Sequence, residues 1–337
     1  MGVRVLVVDR EAAERRRLVA ALDRLGLEGG EAADGLAALY AVERQARAGA
    51  PFGAVVARAV LPDIDGVKLL ALLRSRYPGI RMVVTAPPEI AAPTAELVTR
   101  WGGDACVPEP VEPERLAAQV RDLAGAKGSD PARVAPGGGP AAARAAGAWV
   151  LVELDRSVDP AELRATLARV PGVAVCDAVR DERVGLVLRL QGVPTADLEA
   201  WGKRELAGRA GVKSYELLAT RAPEPAGELR GFLEGYMREH GGDPEYRRVA
   251  GRSASYLLID AHPPALADLY VRLYVQDEVV EIDGVADGRR LLLLLQGPDA
   301  GYLRGRIGER IRPLEGVARV RELRVVPFDE GGEGGRG

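Results

Sequence analysis

The stretch 55–66 constrains the chain most. It reads Val-Val-Ala-Arg, then Ala-Val-Leu-Pro-Asp-Ile-Asp-Gly, and runs into a helix-period segment with Val67, Leu69, Leu70, Leu72 and Leu73. A short apolar strand, a turn rich in Pro, Asp and Gly, and an amphipathic helix together form the building unit of a parallel sheet. The unit recurs on both sides. Strands are predicted at 3–8, before Glu31-Ala32-Ala33-Asp34-Gly35, at 54–57, at 81–85 and around 105–107. Helical patterns follow them, one with Leu18, Ala21, Leu22 and Leu25 on one face, another through Leu36, Leu39 and Val42, and others near 66–76, 89–101 and 112–124. The expectation for residues 1–125 is therefore an α/β domain, a doubly wound parallel five-stranded sheet. Function in such sheets collects at the carboxyl ends of the strands. Asp9, Arg58, Thr85 and Glu109 stand at such ends and should converge on one pocket.

These pieces resemble the receiver domain of bacterial response regulators. The resemblance rests on Val-Leu-Val-Val-Asp (5–9), Glu-Ala-Ala-Asp-Gly (31–35), Leu-Pro-Asp-Ile-Asp-Gly (61–66), Val-Val-Thr-Ala (83–86) and Glu109-Pro110. It implies a phosphoryl-accepting aspartate four residues before Pro62, a position that Arg58 fills. It implies an acidic pair after the first strand to hold magnesium, which offsets charge on the phosphoryl oxygens; Asp9-Arg10 keeps one acid of the two. The lysine implied before the last proline is replaced by Glu109, and the switch aromatic three residues earlier by Cys106. Thr85 keeps the switch hydroxyl. The resemblance thus implies a degenerate phosphorylation pocket of Asp9, Arg10, Arg58, Thr85 and Glu109 that takes neither magnesium nor a phosphoryl group, whether by adaptation or by neutral loss. Arg58 is expected to pair with Asp9 or Glu109, bidentately where geometry allows, and Arg10 to add a second cation nearby. Asp63 and Asp65 are expected to shape the turn.

Residues 126–147 carry Gly and Pro without periodicity and read as a flexible linker; the run at 137–139 lacks the strand and the Gly-Lys-Ser/Thr of a phosphate loop. Beyond it the chain repeats. Leu-Gln-Gly occurs at 190–192 and 295–297, Asp155 recurs as Asp260, and Gly211-Val212 as Gly316-Val317, each at an offset such as 295 − 190 = 105. Each copy, 148–220 and 253–328, reads βαββαβ, the order of an α+β ferredoxin-like domain. Ala-Trp-Val-Leu-Val-Glu-Leu, Val-Pro-Gly-Val (170–173), Leu-Val-Leu-Arg-Leu (186–190) and Gly-Val-Lys-Ser-Tyr-Glu-Leu-Leu (211–218) resemble the ligand-sensing domain of the Lrp/AsnC regulators. That resemblance implies sheets paired face to face and a small-molecule effector at the sheet–sheet contact. The family's Gly-x-Tyr-Asp turn is rewritten as Asp181-Glu182-Arg183-Val184-Gly185 and Asp287-Gly288-Arg289-Arg290, which argues against an amino acid as that effector. The two copies are expected to pack on each other as a pseudo-dimer within one chain. Within 221–252, residues 226–239 form an amphipathic connecting helix, and 329–337 read as a disordered tail.

A net charge of −3 over 337 residues, with acids and bases interspersed, gives no basic patch for nucleic acid, and no helix-turn-helix is legible. Cys106 and Cys176, like His240 and His262, lie at no metal-ligand spacing, and no nucleophile–base pair is present. No apolar run approaches the roughly 18 residues of a spanning helix. The sequence therefore reads as a cytoplasmic, non-enzymatic regulatory protein without cofactor, acting through a protein partner or a small molecule; an oligomer is compatible with it. The alternative is a transcription accessory that co-assembles with DNA-binding Lrp/AsnC-type proteins.

Overall fold

The structure is a computed structural model and describes residues 3–125, 130–131, 133–134, 147–155, 158–221, 225–240, 251–285 and 287–326. Most of the predicted linker and all of the predicted tail lie outside the described residues. The chain divides into two compact units, Met1–Ala141 with Glu224–Gly242, and Ala142–Pro223 with Asp243–Gly337.

In the first unit, five strands, β1 (Arg4–Val8), β2 (Glu28–Ala32), β3 (Ala54–Arg58), β4 (Arg81–Ala86) and β5 (Ala105–Pro108), pair in parallel in the order β2-β1-β3-β4-β5. That is the flavodoxin-like doubly wound order, with its switch point between β1 and β3. Five helices connect the strands: α1 (Ala12–Arg24), α2 (Gly35–Arg47), α3 (Gly66–Arg76), α4 (Pro88–Arg100) and α5 (Pro113–Ala124). Leu18 and Leu22 of α1 and Leu116 and Val120 of α5 close over Val5, Val7, Val56 and Val83 to make one face of the core. The register sets Val8 beside Ala57 and Arg58 beside Thr85, so the strands end level with one another.

The loop after β3 is fixed by its two acids. Buried Asp63 accepts hydrogen bonds from the amides of Gly35 (2.9 Å), Leu36 (3.0 Å) and Ile64 (2.6 Å), and so satisfies the orphan donors at the start of α2. Asp65 caps α3 by accepting from Val67 and Lys68. Gly66 is required because a Cβ there would stand 2.4 Å from the Arg58 carbonyl oxygen.

The predicted connecting helix runs Arg230–His240 (α8 in chain order) and belongs to this first unit, packed on α3. Leu229, Phe232, Leu233 and Tyr236 are buried there, Phe232 stacks tilted on Tyr77 at 5.7 Å, and the Ser75 hydroxyl donates to the Phe232 carbonyl at 3.3 Å. Gly235 lets the two helices approach, since a Cβ would meet Ser75 Oγ at 2.7 Å.

In the second unit the strands of the two predicted copies join in one closed, eight-stranded antiparallel barrel. The first copy supplies β6 (Gly147–Leu154), α6 (Pro160–Leu167), β7 (Val173–Arg180), β8 (Val184–Gln191), α7 (Leu198–Glu205) and β9 (Val212–Arg221). The second supplies β10 (Ser253–Ala261), α9 (Leu266–Tyr274), β11 (Val279–Val285), β12 (Arg290–Gly297), α10 (Ala300–Arg306) and β13 (Val317–Val325). The two four-stranded halves do not merely lie face to face. Their edges pair, Gly284 and Val285 of β11 with Arg221 and Thr220 of β9, and Arg324 and Val325 of β13 with Arg180 and Val179 of β7. Each seam is short, two residue pairs long, and joins the strands at one end. Alternation then divides the side chains. Ala148, Val150 and Val152 pack outward with Leu163, Leu167 and Trp201 under the helices, whereas Trp149 and Leu151 turn inward to meet Tyr256, Leu258, Leu292 and Leu294 of the other copy.

The duplication has a finer register than the sequence indicates. The amide of Asp155 donates to the carbonyl of Gly211, and that of His262 to Gly316, so the true counterpart of Asp155 is His262, at 262 − 155 = 107, and not Asp260. The last strands keep the offset 316 − 211 = 105, so the copies differ by short length changes that three anchors alone average out.

Candidate functional site

Asp9 follows β1, Arg58 ends β3, Thr85 lies near the end of β4 and Glu109 follows β5, so the level strand ends bring the four together. Arg58 takes Glu109 bidentately, Nε to Oε1 at 3.0 Å and Nη2 to Oε2 at 2.8 Å. Its third nitrogen, Nη1, stands 3.8 Å from Asp9 Oδ1, an ion pair too long for a hydrogen bond. The Thr85 hydroxyl reaches Glu109 Oε1 at 3.4 Å. The side chains of Arg58 and Glu109 are 22% and 20% exposed, so the pair is partly desolvated and its two bonds are of the charge-assisted, fork-to-carboxylate kind.

One predicted member, Arg10, does not take the expected place, and Cys106, at the switch-aromatic position, stands outside the cluster. Arg10 is exposed and points to Glu11, 3.3 Å away, because the residue after Asp9 has already left the sheet; it adds no cation inside the pocket. Cys106 keeps apart from the cluster, its thiol near the Ala91 carbonyl at 3.7 Å, and burial pushes that thiol's pKa up. Asp9 is instead supported by groups that sequence reasoning missed. Arg15, on the first turns of α1, donates to the carbonyl oxygens of Asp9 (2.6 Å) and Arg10 (3.2 Å) while its Nε bonds Glu31 at 3.0 Å, and the Glu11 amide caps Asp9 Oδ1 at 2.8 Å. A basic residue one turn into the helix that follows the first strand's acid was the available signal.

The donor set does not fit the magnesium ion that the receiver resemblance implies. Such an ion needs several oxygens free to bind it. Here one Asp9 oxygen is capped, both Glu109 oxygens are taken by Arg58, and a guanidinium stands where the third carboxylate would be. Among the described residues no group of three or more His, Cys, Asp or Glu is placed to hold a metal.

Beside the cluster opens a cavity of about 390 Å³ between α1, α5 and the strand ends. Asp9, Arg58, Thr85 and Glu109 form one end of it; Leu18, Val56, Val111 and Leu116 are among its apolar lining; Glu14 and Arg17, which pair at 3.1 Å, also border it.

In the second unit, a cleft of about 300 Å³ is lined by residues of both copies, among them Asp181, Glu216, Asp260, Arg290 and Arg321. Asp181 and Arg321 pair across it, and Arg290 is held by Glu216 at 2.9 Å and by Asp287. The rewritten turns thus spend Asp181 on Arg321 of β13, and Arg290 on Glu216 of β9 and on Asp287 of its own turn. Deeper in the barrel, Asp283 accepts from Trp149 Nε1 at 2.8 Å and pairs with Arg189 at 3.2 Å, and Asp177 accepts from the Tyr256 hydroxyl. These buried acids sit at matching places of the two copies, so the interior is joined by polar bonds as well as by apolar contact.

No family model matches the chain, and no curated protein matches it. Solved structures match its first third. A response-regulator receiver domain protein from Clostridium thermocellum is 16% identical, with 36% of this chain and 94% of that one covered and a TM-score of 0.33. The chemotaxis protein CheY4 of Vibrio cholerae is 22% identical over 36% of this chain and 99% of its own, TM-score 0.33. The receiver domain of NtrX from Brucella abortus is 25% identical over 36% and 97%, TM-score 0.33. The first 120 or so residues resemble a response-regulator receiver domain, and no helix among the described residues is long and apolar enough to cross a membrane.

Proposed function

We propose that the protein is an atypical response-regulator-like signalling protein that works without phosphorylation and without catalysis, through protein–protein contact or small-molecule sensing. The observation that carries this reading is the bidentate Arg58–Glu109 pair, which stands where the resemblance puts the phosphoryl acceptor and the lysine that would bind its product. An acylphosphate forms only on a carboxylate, and a guanidinium offers none. A receiver switches when added negative charge recruits a hydroxyl and a cation; in this pocket the cation is already bound to a carboxylate and the Thr85 hydroxyl already faces it.

The βαββαβ order of each barrel half supports the finer reading that both are ferredoxin-like and similar to Lrp/AsnC sensing domains. The contact between halves inside one chain then stands in for a dimer. The edges that would serve co-assembly meet within the chain, at Gly284 and Val285 with Arg221 and Thr220 and at Arg324 and Val325 with Arg180 and Val179, which favours this reading over the accessory one. The test is amide hydrogen exchange of the full chain with and without magnesium and beryllium fluoride, a phosphoryl mimic. Exchange across Arg81–Ala86 and Ala105–Pro108 should be the same in both; protection that needs both reagents together would overturn the proposal.

A further inference from the structure

We infer that the cavity beside the Arg58–Glu109 pair is a binding site for a small neutral amphipathic molecule, with a primary amide or alcohol head and a short aliphatic tail. This rests on the reading above that the pocket takes no phosphoryl group, and it names what the pocket takes instead. Three observations carry it. The cavity, of about 390 Å³, lies at the carboxyl ends of β1 and β3, the switch point of the sheet, where ligands of such folds bind. Its size and its division into an apolar wall and one polar end are those of a small-molecule site. The polar end has a gap of defined chemistry: Arg58 binds Glu109 through Nε and Nη2, and Nη1 is left 3.8 Å from Asp9 Oδ1.

A group placed in that gap must accept from Arg58 Nη1 and donate to Asp9. A carboxamide does so with its carbonyl oxygen and its NH₂; a hydroxyl does so with one atom. A carboxylate can only accept, and a phosphate, though its P–OH can donate, brings one to two negative charges. Either anion would meet Asp9 and Glu109 with the Arg58 guanidinium already engaged by Glu109, and the lining as a whole carries Asp9, Glu14 and Glu109 against Arg17 and Arg58. An ammonium can only donate, and would face Arg58. The tail would lie along Leu18, Val56, Val111 and Leu116.

The test is ligand-observed NMR titration of the full chain with three probes of the same carbon number, valeramide, valerate and pentylamine, with inorganic phosphate as competitor. Valeramide should bind about fivefold to tenfold tighter than valerate, the worth of one hydrogen bond kept rather than replaced by repulsion, and phosphate should not displace it. Leu18→Trp fills the apolar wall and, in the folded variant, should abolish binding. Asp9→Asn, which keeps the side-chain shape, should bring valeramide and valerate to within about twofold of each other. The inference is overturned if valeramide does not bind, if valerate or pentylamine binds as tightly, if folded Leu18→Trp still binds, or, should that variant not fold, if Asp9→Asn leaves the preference unchanged. Phosphoryl transfer to the protein would refute the reading of the pocket through a change in protein mass, an outcome separate from these binding ratios.

Discussion

The Arg58–Glu109 pair should contribute a measurable coupling energy, and a double-mutant cycle of Arg58→Ala and Glu109→Ala isolates it. Two charge-assisted bonds of 3.0 and 2.8 Å join groups whose side chains are 22% and 20% exposed. Fully exposed pairs couple by about 0.2–1 kcal/mol, and breaking a fully buried pair costs about 3–5 kcal/mol. One-fifth exposure with bidentate geometry lies between these limits, at a coupling of about 2 kcal/mol. Glu109→Ala should be the costlier single change, because it leaves Arg58 with only the long contact to Asp9, whereas Arg58→Ala also relieves the desolvation of a guanidinium. Native-state hydrogen exchange of peptides spanning Ala54–Arg58 and Arg81–Ala86 reads the first unit without mixing in the barrel. A coupling below about 0.5 kcal/mol, the level of an exposed pair, would show that the pair is incidental and would refute the reasoning.

Other outcomes follow from the packing and the charges. Phe232→Ala should cost about 3–5 kcal/mol, since Phe232 is fully buried on α3; exchange should accelerate in Gly66–Arg76 and stay unchanged in Gly147–Leu154, and equal acceleration in both would contradict the placement of that helix in the first unit. Burial acts to raise the pKa of Asp181, but the Arg321 hydrogen bond and the Val184 and Arg183 amides overcome it and lower it from 3.8 to about 2. A carboxylate with a lowered folded pKa contributes stability above its unfolded pKa and loses it as pH falls through the folded one. Barrel stability followed by denaturant melts should therefore fall between about pH 4 and pH 2, and Asp181→Asn should flatten that part of the profile; an unchanged slope would count against the Asp181–Arg321 bridge.

The sheet of the first unit was legible because each strand is a short apolar run that ends in a turn signal, and strand ends made level by parallel pairing must gather whatever residues stand there. That is how Asp9, Arg58, Thr85 and Glu109 could be grouped from sequence. Arg10 was misplaced because adjacency in sequence does not give direction: one residue beyond the sheet, its side chain turns to solvent and Glu11. Arg15 was missed because its part is to bind backbone oxygens, which no spacing of acids reveals. In the second unit, alternation and duplication gave the strand order, but face-to-face packing and edge closure use the same apolar residues. Only the edge pairs Gly284–Arg221 and Arg324–Arg180 distinguish a barrel from a sandwich, and they are backbone contacts with no side-chain signature. The helix Arg230–His240 showed an apolar face but not its partner, since Leu229, Phe232 and Tyr236 would suit either unit equally by composition.

The central claim is that this pocket accepts no phosphoryl group, and intact-mass measurement after incubation with acetyl phosphate and magnesium tests it most directly. Wild-type protein should keep its mass, and so should Arg58→Asp alone, because the second metal-binding acid and the lysine would still be missing; Arg10→Asp, Arg58→Asp and Glu109→Lys should be needed together before a phosphoryl group is gained. An added phosphoryl mass on the wild-type chain that requires magnesium and maps to residues 1–125 would contradict the account.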